Sequence, residues 1–315
     1  SVKEHRDRAQ FGATPMPLSW KFCARSGQWG INMEDIISRN RKLIYLKNIG
    51  IPNNIIISKV DKVKAGLPLA PHIHSGCFEL CCFYSGMQTY AVGSRQYRVW
   101  GGDCFFTCPD EQHDTFGTVE EKSGFYYIIF ELSPETDFLM LGAEAAAYIY
   151  QRFKEAPRIF KGGRNVTKLF DLIFQTYFEQ SPLRKGRILA LLTEMFYLLT
   201  KKLQKSEAIT AEMPLEIRRA IDLIEKHPGI TLTNQEMARC SGISVSYFKQ
   251  EFKSATGLTP HDFQLRKKIE IAEQLLTDNR SVTDIAYSLG FSSSQHFATT
   301  FKKYKGFSPT DYKRR

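Results

Sequence analysis

The sequence lacks a long apolar segment and is poor in cysteine. No run of about 18 or more uncharged apolar residues occurs among the 315 residues, so we expect no membrane span. The opening segment, "SVKEHRDRAQ", is charged and no apolar core follows it, so we expect no secretory signal. Seven cysteines in so long a chain, without such a signal, indicate reduced thiols and a cytoplasmic protein and argue against a disulfide framework.

Positive charge exceeds negative charge, and half of the excess lies in the last third of the chain. The net charge is +10, and from Pro214 to the end 16 Lys and Arg stand against 11 Asp and Glu. Such an excess suits binding to nucleic acid. An ordinary solvated basic surface would give the same count, so charge alone leaves both interpretations open.

The order of strand and helix patterns divides the chain into regions. Residues 36–136 hold short β-branched and aromatic runs between turn residues, which predicts a sandwich or barrel; the runs are "IIISKV", "FELCCFY", "QTYAVG", "QYRVW", "DCFFTC" and "FYYIIFEL". Residues 137–204 space apolar residues three and four apart, which predicts helices. Residues 205–213 are polar and predict a linker, and 214–315 contains further helices. Residues 1–35 precede these regions and are expected to form an N-terminal arm. The strand-rich region followed by helical regions predicts an α+β fold class with several domains.

The last region contains one pattern twice. The stretch "TNQEMARCSGISVSYFKQEFKSATGLTP" aligns with "SVTDIAYSLGFSSSQHFATTFKKYKGFSP", pairing Gly242 with Gly290 and Phe252 with Phe301. Each copy has a capping box, a glycine where the chain can turn, and two phenylalanines four apart on a second helix. These are the parts of a helix-turn-helix, whose second helix can enter a major groove. Two such motifs, at about 233–255 and 281–304, favour DNA binding over helical hairpins that only pack together.

Between the two motifs, "TPHDFQLRKKIEIAEQLLTD" predicts one long helix. Thr259 is its expected N-cap, Pro260 its first residue, and Asp262 completes a capping box. A rigid helix would fix the distance between the two motifs. They could then occupy successive major grooves on one face of the DNA, about one helical turn apart.

Residues 214–315 resemble the DNA-binding domain of the AraC family of transcription regulators, most specifically in "IAYSLGFSSSQHFATTFKKYKGFSP". The resemblance implies that double-stranded DNA is bound by the second helix of each motif and by its cap. Phosphate contacts are expected from the helix caps and from Lys253, Lys302 and Lys303. Base-edge contacts are expected from Ser246, Lys249, Gln250, Ser294, Gln295, His296 and Thr299. Ser244, Tyr247 and Ser293 complete the set of DNA-binding candidates. Many family members carry Arg at the position of Gln250 or Thr299, and here neither does.

Histidines form a second pattern, in "GLPLAPHIHSGCFELCCFYSG" and "GDCFFTCPDEQH". His72 and His74 are two apart, so on a strand they face the same way, and Glu79 and His113 can approach from neighbouring strands. Three imidazoles and a carboxylate suit Zn, Fe, Mn, Ni or Cu, so we expect one divalent metal ion or none. The alternative is that these side chains bind an effector or one another in a polar interior. Cys81 shares the parity of Glu79, which adds it to the effector-binding candidates and suggests thiol sensing as a side hypothesis.

The histidine pattern resembles the cupin fold, a double-stranded β-helix that forms a small double-sheet barrel. The first motif matches in full, whereas Cys108, Asp110 and Gly117 replace the proline, glycine and asparagine of the second. AraC-family proteins commonly carry such a barrel as an N-terminal effector pocket, often for a sugar. The resemblance therefore implies a cupin-like, effector-binding barrel here, with helices of residues 137–204 forming a dimer contact. The apolar stripe of these helices, which includes Leu192 and Phe196, could instead cover one face of the barrel, but it is wide enough to leave apolar side chains for a second copy of the chain.

The leading interpretation is a transcription regulator that performs no catalysis. Its expected partners are double-stranded DNA, a small-molecule effector and a second copy of the chain, with RNA polymerase as a further candidate and no membrane. An alternative from another class is a metal-dependent cupin enzyme fused to a DNA-binding module. A third is a constitutive DNA-binding protein whose barrel serves only dimerisation.

Overall fold

A computed structural model describes residues 34–205, 213–278 and 280–314. The predicted arm up to residue 33 and residues 206–212 of the predicted linker lie outside the described residues. The N-terminal domain is an antiparallel sheet in the order β1-β2-β3-β8-β4-β6-β9, with β5 and β7 also paired to β4. Its strands are β1 (Ile36–Ile37), β2 (Arg41–Tyr45), β3 (Ile56–Lys62), β4 (Cys77–Val92), β5 (Arg95–Trp100), β6 (Asp103–Thr107), β7 (His113–Asp114), β8 (Ser123–Glu131) and β9 (Ile159–Lys161).

The longest strand, β4, is one strand where the sequence predicted two. The runs "FELCCFY" and "QTYAVG" were expected as two strands, but they form a single strand that pairs with β5, β6, β7 and β8. Its register shifts between Phe83 and Ser85, and Gly86 has a φ of +77°. Glycine adopts this left-handed backbone without a Cβ penalty, so the strand bends and continues where a turn was expected.

Alternation along the strands separates two apolar layers. On β4, Cys77, Cys81 and Phe83 belong to the layer inside the barrel, together with Val60 and Phe125 of the neighbouring strands. The side chains at the intervening positions of β4 point to the opposite face and belong to the core under the helices; they are Phe78, Leu80 and Cys82. Because successive strand residues point to opposite faces, this parity places Glu79 inside the barrel.

Helices α1 (Ala143–Lys154), α2 (Arg164–Tyr177) and α3 (Arg184–Lys205) cover the outer face of the sheet. Leu192 and Phe196 on α3 are fully buried, and the Phe196 ring contacts Phe130 and Phe138. The assignment of these two residues to a dimer contact was therefore wrong. The sheet and its helical cover share one continuous apolar core, and Leu192 and Phe196 belong to it.

Strand β9 was also missed, because it lies in the region assigned to helices. Only three residues form it, pairing Cys104 with Phe160 and extending the sheet beyond β6. A strand this short has too few residues to show a period of two, so the pattern could not reveal it.

The C-terminal domain is helical throughout the described residues. Its helices are α4 (Leu215–Lys226), α5 (Asn234–Ser241), α6 (Val245–Thr256), α7 (Pro260–Thr277), α8 (Val282–Ser288), α9 (Ser294–Lys305) and α10 (Pro309–Lys313). Phe248 and Phe252 of α6 lie in one core, and Phe297 and Phe301 of α9 lie in another. Helix α7 contributes to both cores and connects the two helix-turn-helix units, as the sequence predicted. No described helix combines the length and the apolar character that crossing a membrane requires.

The caps predicted from sequence form in both units. Thr233 and Glu236 make a full capping box at α5, and Ser281 accepts a hydrogen bond from the backbone N–H of Asp284 at α8. The turn glycines Gly242 and Gly290 have φ values of +73° and +71°. Local sequence therefore determines where these short helices begin and end.

Candidate functional site

Four side chains predicted as ligands converge inside the barrel. His72 and His113 pair across an isolated antiparallel bridge, with backbone N···O distances of 3.2 Å and 3.0 Å in the two directions. His113 lies on β7, which pairs with β4, and Glu79 lies on β4. His74 is the fourth member of this cluster. The potential ligand atoms of the four residues all lie within 4.8 Å of one another, and all four residues are buried.

Backbone carbonyls fix the tautomers of two imidazoles. Nδ1 of His72 lies 3.0 Å from the carbonyl oxygen of Ala70, and Nδ1 of His113 lies 3.0 Å from that of Glu111. A carbonyl oxygen only accepts, so each Nδ1 carries the hydrogen and donates it. In a neutral ring of this tautomer the lone pair lies on Nε2, which is the arrangement found in metal-binding histidines of other proteins.

The carboxylate of Glu79 lies close to two imidazoles. One of its oxygens, Oε2, is 2.9 Å from Nε2 of His113 and 3.4 Å from Nε2 of His74. A bare imidazole nitrogen and a carboxylate oxygen at such distances would repel each other. Each contact therefore holds either a hydrogen, which even a neutral imidazole can carry on Nε2, or a metal ion that both atoms bind.

Burial and neighbouring charges set the protonation of this cluster. Burial, helped by His113, lowers the pKa of His72 to about 3, so this ring is neutral at physiological pH. Burial opposes ionisation of Glu79, but His74 and the hydrogen bond from His113 outweigh it and hold the pKa of the carboxyl well below its usual range. A neutral imidazole and an ionised carboxylate are the forms that bind metal.

The donor set fits a divalent transition metal. Ligand atoms about 2.1 Å from a metal are separated by about 3.0 Å in octahedral and about 3.4 Å in tetrahedral geometry. The two contacts of Glu79, at 2.9 Å and 3.4 Å, match these separations, and the remaining ligand atoms need to move inward from at most 4.8 Å. His72, His74, Glu79 and His113 would hold the ion.

Cys81 lies next to this cluster and is not part of it. Its side chain is 3% exposed and shares the inner layer with Tyr90. Burial, with a contribution from Glu79, raises the pKa of the Cys81 thiol well above its usual range. The thiol therefore stays protonated, which makes it a poor metal ligand and a poor nucleophile. Cys81 contributes apolar packing to the wall of the site.

The candidate DNA-binding residues of the first unit lie on the exposed face of α6. Ser246, Tyr247, Lys249, Gln250 and Lys253 are all exposed, opposite the buried phenylalanines. Helix α6 begins at the predicted cap, where the hydroxyl of Ser244 accepts from the backbone N–H of Tyr247.

The second unit repeats this arrangement on α9. Gln295, His296, Thr299, Lys302 and Lys303 are exposed, and Ser294 is half-buried. The hydroxyl of Ser293 accepts from the backbone N–H of His296 and caps the helix. The Ser294 hydroxyl donates to Oε1 of Gln295 at 3.3 Å. Each unit thus presents a short polar and basic helix face.

The barrel docks on the helical domain through residues that the sequence reasoning missed. Arg266 on α7 is buried and forms an ion pair with Glu121 of the barrel. Lys122 forms a second pair, 3.0 Å from Asp262 of α7. Nothing in a single sequence distinguishes such charged residues from solvated ones, because their partners lie more than a hundred residues away.

Two backbone contacts attach the barrel to the ends of α6 and α9. The N–H of Gly86 donates to the carbonyl of Gly257, and the N–H of Ala65 donates to that of Lys303. A cavity of about 420 Å³ lies at this boundary, and Lys253 and Lys303 are among its lining residues. Two of the three predicted phosphate-binding lysines therefore lie near the barrel. Lys302 does not line this cavity.

Comparison with known proteins identifies both domains. Residues 68–212 match the model of the AraC-like ligand binding domain, and residues 237–315 match that of a helix-turn-helix domain. The probable transcriptional regulator LumQ of Photobacterium leiognathi is 34% identical over 90 residues, which are 28% of this chain and 36% of that protein. The transcriptional activator RhaS of Klebsiella pneumoniae (strain 342) is 31% identical over 122 residues, which are 38% of this chain and 43% of that protein.

The matched segments thus span less than half the length of each of these two relatives. Among solved structures, the C-terminal domain of AraT, a response regulator from Geobacillus stearothermophilus, is 28% identical with a TM-score of 0.32, covering 33% of this chain and 88% of that one. The curated relatives are named as transcriptional regulators or activators, which favours the regulator over the fused enzyme. The sheet-rich ligand-binding domain, the two helix-turn-helix units and both domain matches show that the chain belongs to the AraC family of transcriptional regulators.

Proposed function

We propose that this chain binds a specific DNA site and regulates transcription in response to a ligand held in its barrel. One observation supports DNA binding most directly, namely that α6 and α9 each expose a polar, basic face opposite a buried phenylalanine pair. Helix α7 packs against both units. The two recognition helices are therefore held in a fixed relation, as binding to successive major grooves requires.

The two kinds of DNA contact can be separated by single substitutions on α9. Gln295 is placed to contact base edges, so Gln295→Ala should weaken binding to the preferred site by about 1–3 kcal/mol and affect other DNA little. Lys302 is placed to contact phosphate, so Lys302→Ala should weaken binding to all DNA and lower the salt slope by about one unit.

The experiment begins by enriching random duplexes for those that the full chain binds, which identifies the preferred DNA site. Footprints on the enriched site should cover two neighbouring major grooves. Gln274→Ala on α7 and Lys226→Ala on α4 are matched controls, because both residues are exposed and lie off the recognition helices. A footprint over one groove, or equal losses for Gln295→Ala and Lys302→Ala on every duplex, would contradict the two-helix proposal.

For the barrel, we propose that His72, His74, Glu79 and His113 hold one divalent transition metal and that the effector binds at this centre. The support is that Oε2 of Glu79 lies close to Nε2 of two imidazoles, where one ion could contact all three atoms. Backbone carbonyls also hold Nδ1 of His72 and His113, which orients these rings. When bound, the metal would supply a Lewis-acidic point for an oxygen atom of the effector. The effector would be a small polar molecule, and a sugar is the class that the family resemblance implies.

Elemental analysis of the purified full chain tests the metal directly, and about one equivalent per chain is the expected result. A ligand thermal-shift screen, run with and without the metal, then tests the effector. An effector that stabilises the metal-free protein equally well would show that effector binding needs no ion.

Homodimerisation, contact with RNA polymerase and a cytoplasmic location also remain proposals. For the dimer, the buried stripe of α3 is excluded, but Tyr197 on its other side is 55% exposed, and Tyr148 on α1 is 44% exposed. These tyrosines offer apolar surface for a second copy of the chain. Sedimentation of the full chain measures whether the protein is a monomer or a dimer.

A further inference from the structure

Two buried thiols face each other on neighbouring strands of the barrel. Cys82 on β4 and Cys104 on β6 are direct partners in the antiparallel register, and their sulfur atoms lie 2.8 Å apart. Direct partners in antiparallel strands have Cα atoms about 4.5–5.5 Å apart, which lies within the range of about 4.4–6.8 Å that disulfides span. Both cysteines are free, and the backbone already has the separation that a bond between them needs.

The surroundings of this pair are tightly packed. Cys82 and Cys104 are 1% and 0% exposed, in the core between the sheet and helices α1–α3. The backbone of Gly162 lies against the sulfur of Cys104 so closely that a Cβ at this glycine would overlap it. Little room therefore exists at Cys104 for the two or three oxygen atoms of a sulfinic or sulfonic acid.

We propose that Cys82 and Cys104 form a reversible disulfide when the protein meets a peroxide. In the first step one sulfur attacks hydrogen peroxide, the O–O bond breaks, and a sulfenic acid and water form. The second sulfur then attacks the sulfenic sulfur, and the S–O bond breaks to release a second water as the S–S bond forms. Two thiols lose two electrons in total, one peroxide gains them, and the two thiol protons leave in the water.

The packing determines the rate and the product. Burial raises the pKa of the Cys82 thiol well above its usual range, so the thiolate is scarce and the first step is slow. Only a small uncharged oxidant can enter, which excludes exchange with a bulky disulfide. Because the second sulfur is in contact with the first, the closing step is fast once one sulfur has been oxidised.

The bond would affect the ligand site through the strands that it joins. Glu79 lies on β4 three residues before Cys82, on the opposite face of the same strand. The other partner, Cys104, lies on β6, and the chain from β6 leads to His113. Oxidation therefore crosslinks two segments of the chain that supply ligands. We expect the oxidised protein to unfold at a higher temperature than the reduced protein.

The test uses the full chain treated with hydrogen peroxide, then with catalase, then denatured and alkylated without reductant. Peptide mapping by mass spectrometry should show a peptide crosslinked through Cys104 in the wild type, and dithiothreitol should remove it. Cys81→Ala is the matched control, because this neighbouring thiol points into the barrel and its loss should leave the crosslink intact. Cys82→Ala should abolish the crosslink and leave Cys104 either as a thiol or, if it is the sulfur that attacks peroxide, as a sulfenic acid.

Three outcomes would overturn the proposal. The first is a folded wild-type protein with no crosslink after long exposure to peroxide. The second is a crosslink to Cys104 that persists in Cys82→Ala and vanishes in Cys81→Ala. The third is sulfinic or sulfonic acid at Cys104 as the main product. If Cys82→Ala does not fold, Cys104→Ala provides the same comparison, since the crosslink should again be absent. None of these readouts depends on DNA or effector binding.

Discussion

The replacement His74→Ala offers the sharpest test of the barrel site. It removes one of four proposed ligands and one of the two imidazoles in contact with Glu79. The closer contact, between Glu79 and His113 at 2.9 Å, remains. The carboxylate therefore keeps a partner, and the metal-free variant should fold.

The size of the effect follows from binding linkage. A metal present at about a thousand times its dissociation constant stabilises the folded state by about 4 kcal/mol. Loss of an outer-shell partner weakens metal binding about 10–100-fold, and loss of a ligand should weaken it further. If binding weakens about a thousandfold, the stabilisation falls to about 0.4 kcal/mol. At about 2–4 °C per kcal/mol, a metal-induced shift in melting temperature of about 8–16 °C would shrink to about 1–2 °C.

The assay compares thermal unfolding of wild type and His74→Ala, first stripped by a chelator and then titrated with Zn, Mn, Fe, Ni or Cu. His261→Ala is the matched control, because His261 is exposed on α7 in the other domain. It should show the full shift of the wild type. Equal shifts in all three proteins, or a wild type that neither carries metal nor responds to any of the five, would refute the metal centre.

Three further predictions concern the buried core, the exposed side of α3 and the contact between the two domains. Phe196→Ala should lower the free energy of unfolding by about 3–5 kcal/mol in urea denaturation, because the ring is fully buried among other aromatic rings. Tyr197→Glu on the exposed side of the same helix should change stability by less than about 0.5 kcal/mol, and if the dimer uses this face, sedimentation should show monomers. Arg266→Met should destabilise the docked form by about 3–5 kcal/mol, because Glu121 would be left without its buried partner. Calorimetry should then show the barrel and the helical domain unfolding separately, and a single unchanged transition would contradict this.

The helical domain could be predicted almost completely from its sequence. Its signals are local, since a cap and its N–H partner are three residues apart, and the turn glycine and the phenylalanine pair follow within the same motif. Thr233, Gly242 and Ser293 therefore take the predicted conformations without help from distant residues. The repetition of the pattern favoured two DNA-binding units, whereas one motif alone would fit a helical hairpin that only packs against its neighbours.

The four ligand candidates were also predictable, because strand parity and the resemblance to the cupin motif act together. Parity alone could bring His72 and His74 to the same side. The approach of His113 and the proximity of Glu79 depended on which strands pair, and the resemblance supplied that pairing. The tautomers could not be predicted, because Ala70 and Glu111 present their carbonyls to the two rings only in the folded barrel.

Sequence by itself determined the two domains, the short capped helices and the side chains that can serve as ligands or reach DNA. Tertiary structure alone decided which side of α3 is core, that β4 runs on through Gly86, that β9 joins the sheet, and that Arg266 pairs with Glu121. The physical reason is the range of the interactions. A cap or a turn is satisfied within a few residues, whereas an apolar stripe or a charged side chain is compatible with several partners. The choice among those partners is made by burial and pairing between segments far apart in the chain.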